Sequence, residues 1–424
     1  MRRSLAGWQV GYHAPMHLIV EQKRLGPRTF LACLLLIHIF LILAEDMYAP
    51  ALSSMMREFS VSAALLNMTM FAFFFTMAFG IIVFGPISDR LGRRKVLIGC
   101  CVLFAICSAG CAASPSVAVL TAFRVGQAIG YGGVVTLVTA MVGDAYDIEG
   151  TKVAMTLLQS TIIIGPTVAP FLGTFLMAHW GWRSIFVLLA VLSVISVGLA
   201  MLIDETLPEQ SRSSVSGSAV LHEMLGGFKT LMGQKTFRNL ALFMSVAGVP
   251  YYAFIATASY VLLDFFTVSY LEYSLVYAAV SAVSIVAPYA YLVLSRYLKS
   301  RSILVVCVVL MGMAFVIMAL WGQNGPWVFF AALVPFALSE GIARPLAFVI
   351  LLRQPPELVG SASSLANFLY SVLTSLGTVV ATAGWSNFVL ANAVIMGVSF
   401  AAMAALYLVN LRRAHLDAAD QAKV

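Results

Sequence analysis

The stretch Gly85-Pro-Ile-Ser-Asp-Arg-Leu-Gly-Arg-Arg-Lys-Val-Leu-Ile98 gathers Asp89, Arg90, Arg93, Arg94 and Lys95 within seven residues of a chain that is only 10% charged. Apolar runs of roughly 20 residues flank it, each long enough to cross a bilayer as a helix. A short basic loop between two such helices stays in the cytoplasm. Gly85 and Gly92 permit tight turns there, and Asp89 can cap or bridge to a neighbouring helix end. An anchor needs charge alone. The ordered spacing Gly-x-x-x-Asp-Arg-x-Gly-Arg-Arg-Lys is more than an anchor requires.

The rest of the chain agrees with a membrane setting. Its 424 residues are 61% hydrophobic with a mean hydropathy of +0.96, and a soluble fold would leave long apolar runs facing water. The net charge of +7 does not point to nucleic acid, because the basic residues sit in short loops rather than on one face. Cys33, Cys100, Cys101, Cys107, Cys111 and Cys307 all fall inside apolar runs without metal-ligand spacing. They read as buried, inert thiols, with neither a disulfide nor a metal site expected. Asn67-Met-Thr69 spells a glycosylation acceptor but lies within an apolar run, which excludes that use.

Twelve apolar runs follow one another, at about 29–51, 64–84, 95–113, 117–142, 153–178, 183–203, 239–265, 273–295, 302–321, 327–352, 360–383 and 387–409. They lack the alternation of a membrane barrel, and open sheets do not exist in hydrocarbon, so each reads as a helix. The longest polar break, 204–238, divides them six and six. The expected class is therefore an all-α polytopic membrane protein with twelve transmembrane helices in two six-helix bundles. A tail over 1–28, a bundle over 29–203, a linker over 204–238, a second bundle over 239–409 and a tail over 410–424 complete the division. Of the 25 Lys and Arg, Arg57 and Arg183 alone fall in loops on the other side, and Arg124 and Arg344 lie within runs. That asymmetry puts both termini in the cytoplasm. Met16 is an alternative start, so residues 1–15 are expected to be dispensable. Two six-helix halves are the pattern of paired transporter repeats. Ser295-Arg-Tyr-Leu-Lys-Ser-Arg301 repeats the basic loop at the matching place in the second half, without its acid and glycines.

Charges inside the runs ask for a reason, since an arginine at the centre of a membrane helix costs about 2.5–3.5 kcal/mol on insertion scales. Arg124 lies about 10 Å below the external end of the fourth run at 1.5 Å per residue. Glu45 and Asp46 lie near the external end of the first, so Asp46 and Arg124 are expected to meet. One reading is a solvated carboxylate and a structural arginine. The other is a carboxylate that takes up and returns a proton beside an arginine that biases it. In the second half, Glu340 and Arg344 stand four apart and share a helix face, which favours mutual neutralisation over substrate contact. Tyr48, Gln127, Tyr251 and Tyr252, with Glu340 and Arg344, are the candidate cavity residues, beside the aromatic surface of Phe71, Phe74, Phe75, Phe254 and Tyr260. The 20 methionines suit an adaptable wall.

Several of these stretches resemble one family. The pattern of Gly85, Asp89, Arg90, Gly92, Arg93 and Arg94 resembles the loop signature between helices two and three of the major facilitator superfamily. Arg124-x-x-Gln127-x-x-Gly130 resembles that family's fourth-helix motif, whose arginine is associated with proton coupling. Gly165-Pro166 and Pro170-Phe-Leu-Gly173 resemble the antiporter motif of its drug exporters, with Thr174 where a second glycine often stands. These prolines are expected to bend the fifth helix. With Asp46-Met-Tyr-Ala-Pro-Ala-Leu52 and Glu205-Thr-Leu-Pro208, residues 29–206 resemble the Bcr/CflA-type drug-resistance exporters, and the pair Glu45–Asp46 departs from the usual single acid.

The resemblance implies a proton antiporter of the bacterial inner membrane that exports lipophilic, often cationic drugs. Glu45, Asp46 and Arg124 would couple the proton, and the 85–94 loop would switch conformation. No cofactor and a monomer are expected. A proton-coupled exporter of one metabolite, such as a sugar, nucleoside or amino acid, is the alternative. The rival from another class, an integral-membrane enzyme, would need a nucleophile–base or metal cluster, whereas His13, His17, His38, His179, His222 and His415 are scattered. No Gly-x-x-x-x-Gly-Lys-Ser/Thr occurs, so nucleotide is not the energy source within this chain.

Overall fold

The computed structural model describes residues 17–20, 22–207 and 217–411. Residues 1–15, the stretch with Pro208 and its serines, and the chain from 412 lie outside the described residues. Apart from one antiparallel bridge between Leu18 and Tyr146, the described elements are helices. In order they are α1 (Pro27–Asp46), α2 (Leu52–Phe59), α3 (Ala63–Leu91), α4 (Arg93–Ala112), α5 (Val117–Ala145), α6 (Ile148–Trp180) and α7 (Arg183–Leu202). Then come α8 (Gly217–Gly233), α9 (Lys235–Ser259), α10 (Tyr270–Tyr297), α11 (Ser300–Trp321), α12 (Pro326–Leu351), α13 (Pro356–Thr382) and α14 (Phe388–Leu406).

Local chemistry sets the helix ends. The side chains of Ser62, Ser116 and Asp147 accept the free backbone N–H groups that open α3, α5 and α6. Ser269 and Glu272 form a reciprocal capping box at the start of α10. Gly92 takes φ 92° between α3 and α4, a conformation open to glycine at little strain, which lets the chain reverse in one residue.

Each of the twelve apolar runs is helical, the first broken by a 3₁₀ turn. Eleven spans among the described residues are long and apolar enough to cross a membrane, and the 33-residue α6 carries the remaining run. The protein is thus an all-α, multi-pass membrane protein. Two expectations need correction. The first span does not end near residue 51: after Asp46 a short 3₁₀ turn, Ala49–Ala51, leads into α2, so the span runs from Pro27 to Phe59. Pro50 lacks an N–H and sits in that turn, where the regular ladder is already broken. The 204–238 break contains a helix of its own, α8. α6 runs unbroken from Ile148 to Trp180 through Gly165-Pro166 and Pro170–Gly173.

Helices α1–α7 and α9–α14 pack as two groups with the same internal pairing. In the first, α1 packs on α6 and α7, α3 and α4 on α5, and α4 on α7. In the second, α9 packs on α13 and α14, α10 and α11 on α12, and α11 on α14. The groups meet where α3 faces α13 and α6 faces α10, contacts that exchange under the same correspondence. Small residues bring some helices close. A Cβ on Gly132 of α5 would lie 2.7 Å from the Met77 carbonyl oxygen of α3, and one on Gly130 would lie 2.7 Å from the Cys100 carbonyl oxygen of α4.

At the end opposite the charged loop, polar bonds tie the groups together. Arg57 pairs with Asp264 at 2.7 Å, Asn67 donates to the Tyr260 hydroxyl at 3.2 Å, and the Thr174 and Ser274 hydroxyls share a 2.7 Å hydrogen bond. Glu58 also holds the α6–α7 turn, accepting from Trp182 at 2.6 Å and from Arg183.

Candidate functional site

Where α1 gives way to its 3₁₀ turn, the backbone sets Glu45, Asp46 and Tyr48 in the interior of the first span. Asp46 is 2% exposed and accepts a hydrogen bond from the Tyr277 hydroxyl of α10 at 2.8 Å. This bond crosses from one helix group to the other. Glu45, partly exposed, shares a side-chain hydrogen bond with Tyr131 of α5 and lies within electrostatic reach of both Arg124 and Arg344.

Arg124 is wholly buried on α5 and is held without an acid. Its Nη1 donates to Gln127 Oε1 at 2.7 Å and to the Ala44 carbonyl oxygen at 3.4 Å. The guanidinium carbon lies 3.9 Å from the ring centre of Phe73 and 4.8 Å from that of Tyr48. Gln127 is fixed in turn by donating to Ser108 at 2.8 Å, and Tyr48 by a 2.7 Å bond with Thr69. Among the described residues, Nε and Nη2 of Arg124 have no partner. Among the described residues, Arg124 forms no ion pair with Asp46 or Glu45, so the expected meeting of Asp46 and Arg124 is not made in this arrangement.

The second group supplies the facing wall. Tyr252 of α9 is buried edge-on against Phe74 of α3, with ring centres 4.5 Å apart, and Tyr251 lies beside it. Glu340 of α12 accepts from the Tyr370 hydroxyl of α13 at 2.9 Å. Arg344 lies one turn along the same helix with its guanidinium carbon 4.6 Å from the Tyr370 ring centre. The two charges share a face as expected, yet they form no ion pair among the described residues.

The charged loop works differently. Arg93 pairs with Asp89 at 2.5 Å and Asp144 at 2.9 Å, and it donates to Ser88. Glu205, arriving from beyond α7, accepts the backbone N–H groups of Arg93 and Arg94 at 2.8 and 3.3 Å, placing an anion on the first turn of α4. Arg94 also donates to the Met201 carbonyl oxygen at 2.7 Å. Arg90 stands between Asp89 and the helix-ending Leu91, and Gly85 has only the Thr136 methyl near its Cβ position, at 3.9 Å. The bonds of Asp89, Arg93 and Glu205 all stay within the first helix group.

On α6, a Cβ at Gly173 would fall on the Met47 carbonyl oxygen, so this glycine lets α6 lie against the break after α1. Gly165 packs on Ile42, Pro170 is buried, and the side chain of Pro166 lies outside the described residues. Thr174, in the position of a second glycine, uses its hydroxyl to reach Ser274 on the other group.

A family model described as Major Facilitator Superfamily matches residues 34–378, most of both helix groups. The chain belongs to the Major Facilitator Superfamily. Among curated relatives, Multidrug resistance protein D of Escherichia coli is 26% identical over 81% of this chain and 86% of its own length. The multidrug transporter MdfA of Yersinia pestis is 28% identical over 59% and 61%. Among solved structures, the peptide transporter POT in complex with sulfate superposes with a TM-score of 0.73 at 14% identity, covering 91% of this chain and 95% of the other, which speaks for the fold alone.

In this facilitator the titratable centre is assembled from both groups: Glu45 and Asp46 from α1, Tyr131 from α5, Tyr277 from α10, and Arg344 from α12. It holds two neighbouring carboxylates whose polar partners are tyrosine hydroxyls. That arrangement can exchange a proton and register the exchange at the boundary between the groups. Tyr131, Tyr277 and Tyr370 were not singled out from the sequence. Tyrosines at helical spacing in apolar runs look like packing, and only the fold shows which ones end on an acid. An apolar cavity of about 250 Å³ between α9, α13 and α14 lies apart from this centre, with Ser399 as its polar side chain.

Proposed function

We propose that this facilitator exports lipophilic compounds, cationic ones among them, in exchange for protons. The observation that carries the proposal is the adjacent pair Glu45–Asp46 inside the first span, with Asp46 buried and bonded across the boundary to Tyr277 and neither acid fixed to Arg124. A carboxylate locked to an arginine resists protonation, whereas one held by a tyrosine hydroxyl can be protonated without leaving a buried cation. The names of the relatives, a multidrug resistance protein and a multidrug transporter, support the substrate class.

The two helix groups rock as units about the interior site, in alternating access. With both termini cytoplasmic in a bacterial inner membrane, the Arg57–Asp264 and Thr174–Ser274 bonds lie on the external side, and this arrangement is the externally closed one. Glu45, Asp46 and Arg124 act in proton coupling. The loop of Gly85, Asp89, Arg90, Gly92, Arg93 and Arg94 acts in switching, and a monomer suffices. The test is the purified protein in liposomes with an imposed pH gradient. A lipophilic dye cation should move against its own gradient while the pH gradient decays faster than in protein-free vesicles. Dye movement that is indifferent to the pH gradient would overturn the reading.

A further inference from the structure

Arg344 stands in an unusual position for a membrane arginine. It lies inside α12, whose span runs from Pro326 to Leu351, yet it is exposed. It lies over Tyr370 of α13, and Tyr252 on α9, Glu45 on α1 and Glu340 one turn back are within electrostatic reach. A side chain so surrounded and still exposed faces the space between the helix groups rather than lipid. Among the described residues, its guanidinium takes part in no hydrogen bond or ion pair; it lies over the Tyr370 ring at 4.6 Å. Glu340, the obvious counterion, accepts from the Tyr370 hydroxyl instead. The contrast with Arg124 is direct: that arginine is fully enclosed and already bonded to Gln127 and Ala44.

A planar guanidinium presents five N–H donors in a fork that matches a carboxylate. The Tyr370 ring lies against it, which suits a flat ligand, and Tyr252 is within electrostatic reach. Beside it stand acids, Glu45 and Glu340, within electrostatic reach. Positive and negative groups lie side by side at one aromatic-lined place.

We propose that Arg344 receives the carboxylate of zwitterionic aromatic substrates while their amine cation faces Glu45. This rests on the proton-coupled export reading and names a substrate class within it. The two ends of such a compound do different work. The cation competes with the proton on Glu45, and the carboxylate supplies the acceptor that Arg344 lacks. A simple anion lacks the first of these, because Glu45 and Glu340 repel it. A simple cation is carried without help from Arg344.

A matched pair of dyes separates these cases: a rhodamine with a free carboxylate, and the methyl ester of the same rhodamine. Transport of both is measured with the full chain in liposomes under an imposed pH gradient. The wild type should carry both dyes, and the zwitterion should compete with the ester. In Arg344→Gln the ratio of KM for the zwitterion to KM for the ester should rise at least tenfold. Arg344→Lys, which keeps the charge and loses the fork, should raise the ratio by less. An unchanged ratio in both variants, or a wild type that carries the ester and neither carries nor binds the zwitterion, overturns the proposal. If the variants do not insert, competition in the wild type decides: no inhibition of ester transport by the zwitterion overturns it equally. Failure of the wild type to couple ester transport to protons instead overturns the export reading itself, which keeps the two failures distinct.

Discussion

The Tyr277 hydroxyl donates to Asp46 at 2.8 Å, and both residues are almost wholly buried where α10 of one helix group meets α1 of the other. A hydrogen bond to a buried carboxylate is charge-assisted, and it weakens when the carboxylate is protonated. Protonation of Asp46 therefore acts on a bond between the two groups. If the groups rock as proposed, this contact breaks, and a local proton exchange reaches it.

Tyr277→Phe removes that bond and leaves a buried carboxylate short of a donor. Hydrogen bonds to charged groups contribute about 1.5–3 kcal/mol, so this arrangement of the two groups should lose stability of that order. Spin labels placed on either side of the Arg57–Asp264 contact should show a larger fraction of separated molecules. An unaltered distance distribution would mean that the bond plays no part in the closure.

Asp46→Asn keeps an acceptor for Tyr277 but removes the charge and the exchangeable proton. Gradient-driven efflux should be lost while downhill exchange of substrate persists. Glu45→Gln is measured beside it, because Glu45 also lies in the interior and is within reach of both arginines. If both single variants and the double variant retain gradient-driven efflux, the coupling carboxylate lies elsewhere, and Glu340 is the next to test.

How much of this was legible in the chain follows from what each signal measures. Apolar length and loop charge are local properties, so the twelve helices and the 85–98 loop could be read directly. Arg124 could be singled out because a charge in an apolar run is conspicuous. Its partners could not, since the fold gives it Gln127, Ala44 and two aromatic faces rather than Asp46. The depth of Asp46 is not legible, because the turn at Ala49–Ala51 resembles the end of a span, whereas α2 continues it. Tyr277 was invisible for a different reason. Nothing in the sequence of α10 separates it from Tyr273, and only the approach of α1 does.

The Arg57–Asp264 pair is more exposed than the bonds beneath it, with 60% and 32% of the side-chain surfaces accessible. Exposed pairs contribute about 0–1 kcal/mol and are screened by salt. Arg57→Ala should thus reduce transport less than twofold, with the difference shrinking at high salt. Joint loss of the buried Thr174 and Ser274 hydroxyls, by Thr174→Val with Ser274→Ala, should have the larger effect on transport. The reverse order would make the surface pair the principal latch.

The charged loop makes a separate claim. Asp89 pairs with Arg93 here, and Arg93 is also held by Asp144 and Ser88. Asp89→Asn should leave insertion and topology intact, because the basic residues that set them remain. It should impair transport if Asp89 changes partner when the external side opens. Full transport by a well-inserted Asp89→Asn protein would reduce the loop to an anchor.

Gly173 gives the sharpest structural test, because its neighbour is backbone that cannot step aside. A Cβ there would fall on the Met47 carbonyl oxygen and lie 3.0 Å from Pro50, next to the acids. Gly143, on α5, has nothing within 4 Å of its Cβ position. Alanine at a helical glycine with free space around it should stabilise by up to about 1 kcal/mol through helix propensity. Alanine at a tightly packed position should instead cost about 1–3 kcal/mol. Gly173→Ala should therefore unfold at a lower temperature in detergent than the wild type, and Gly143→Ala at the same or a higher one. Gly173→Ala should also lose transport beyond what its stability explains, since the displaced segment carries Glu45 and Asp46. Equal melting temperatures for the two variants would mean that α6 does not lie against the break after α1.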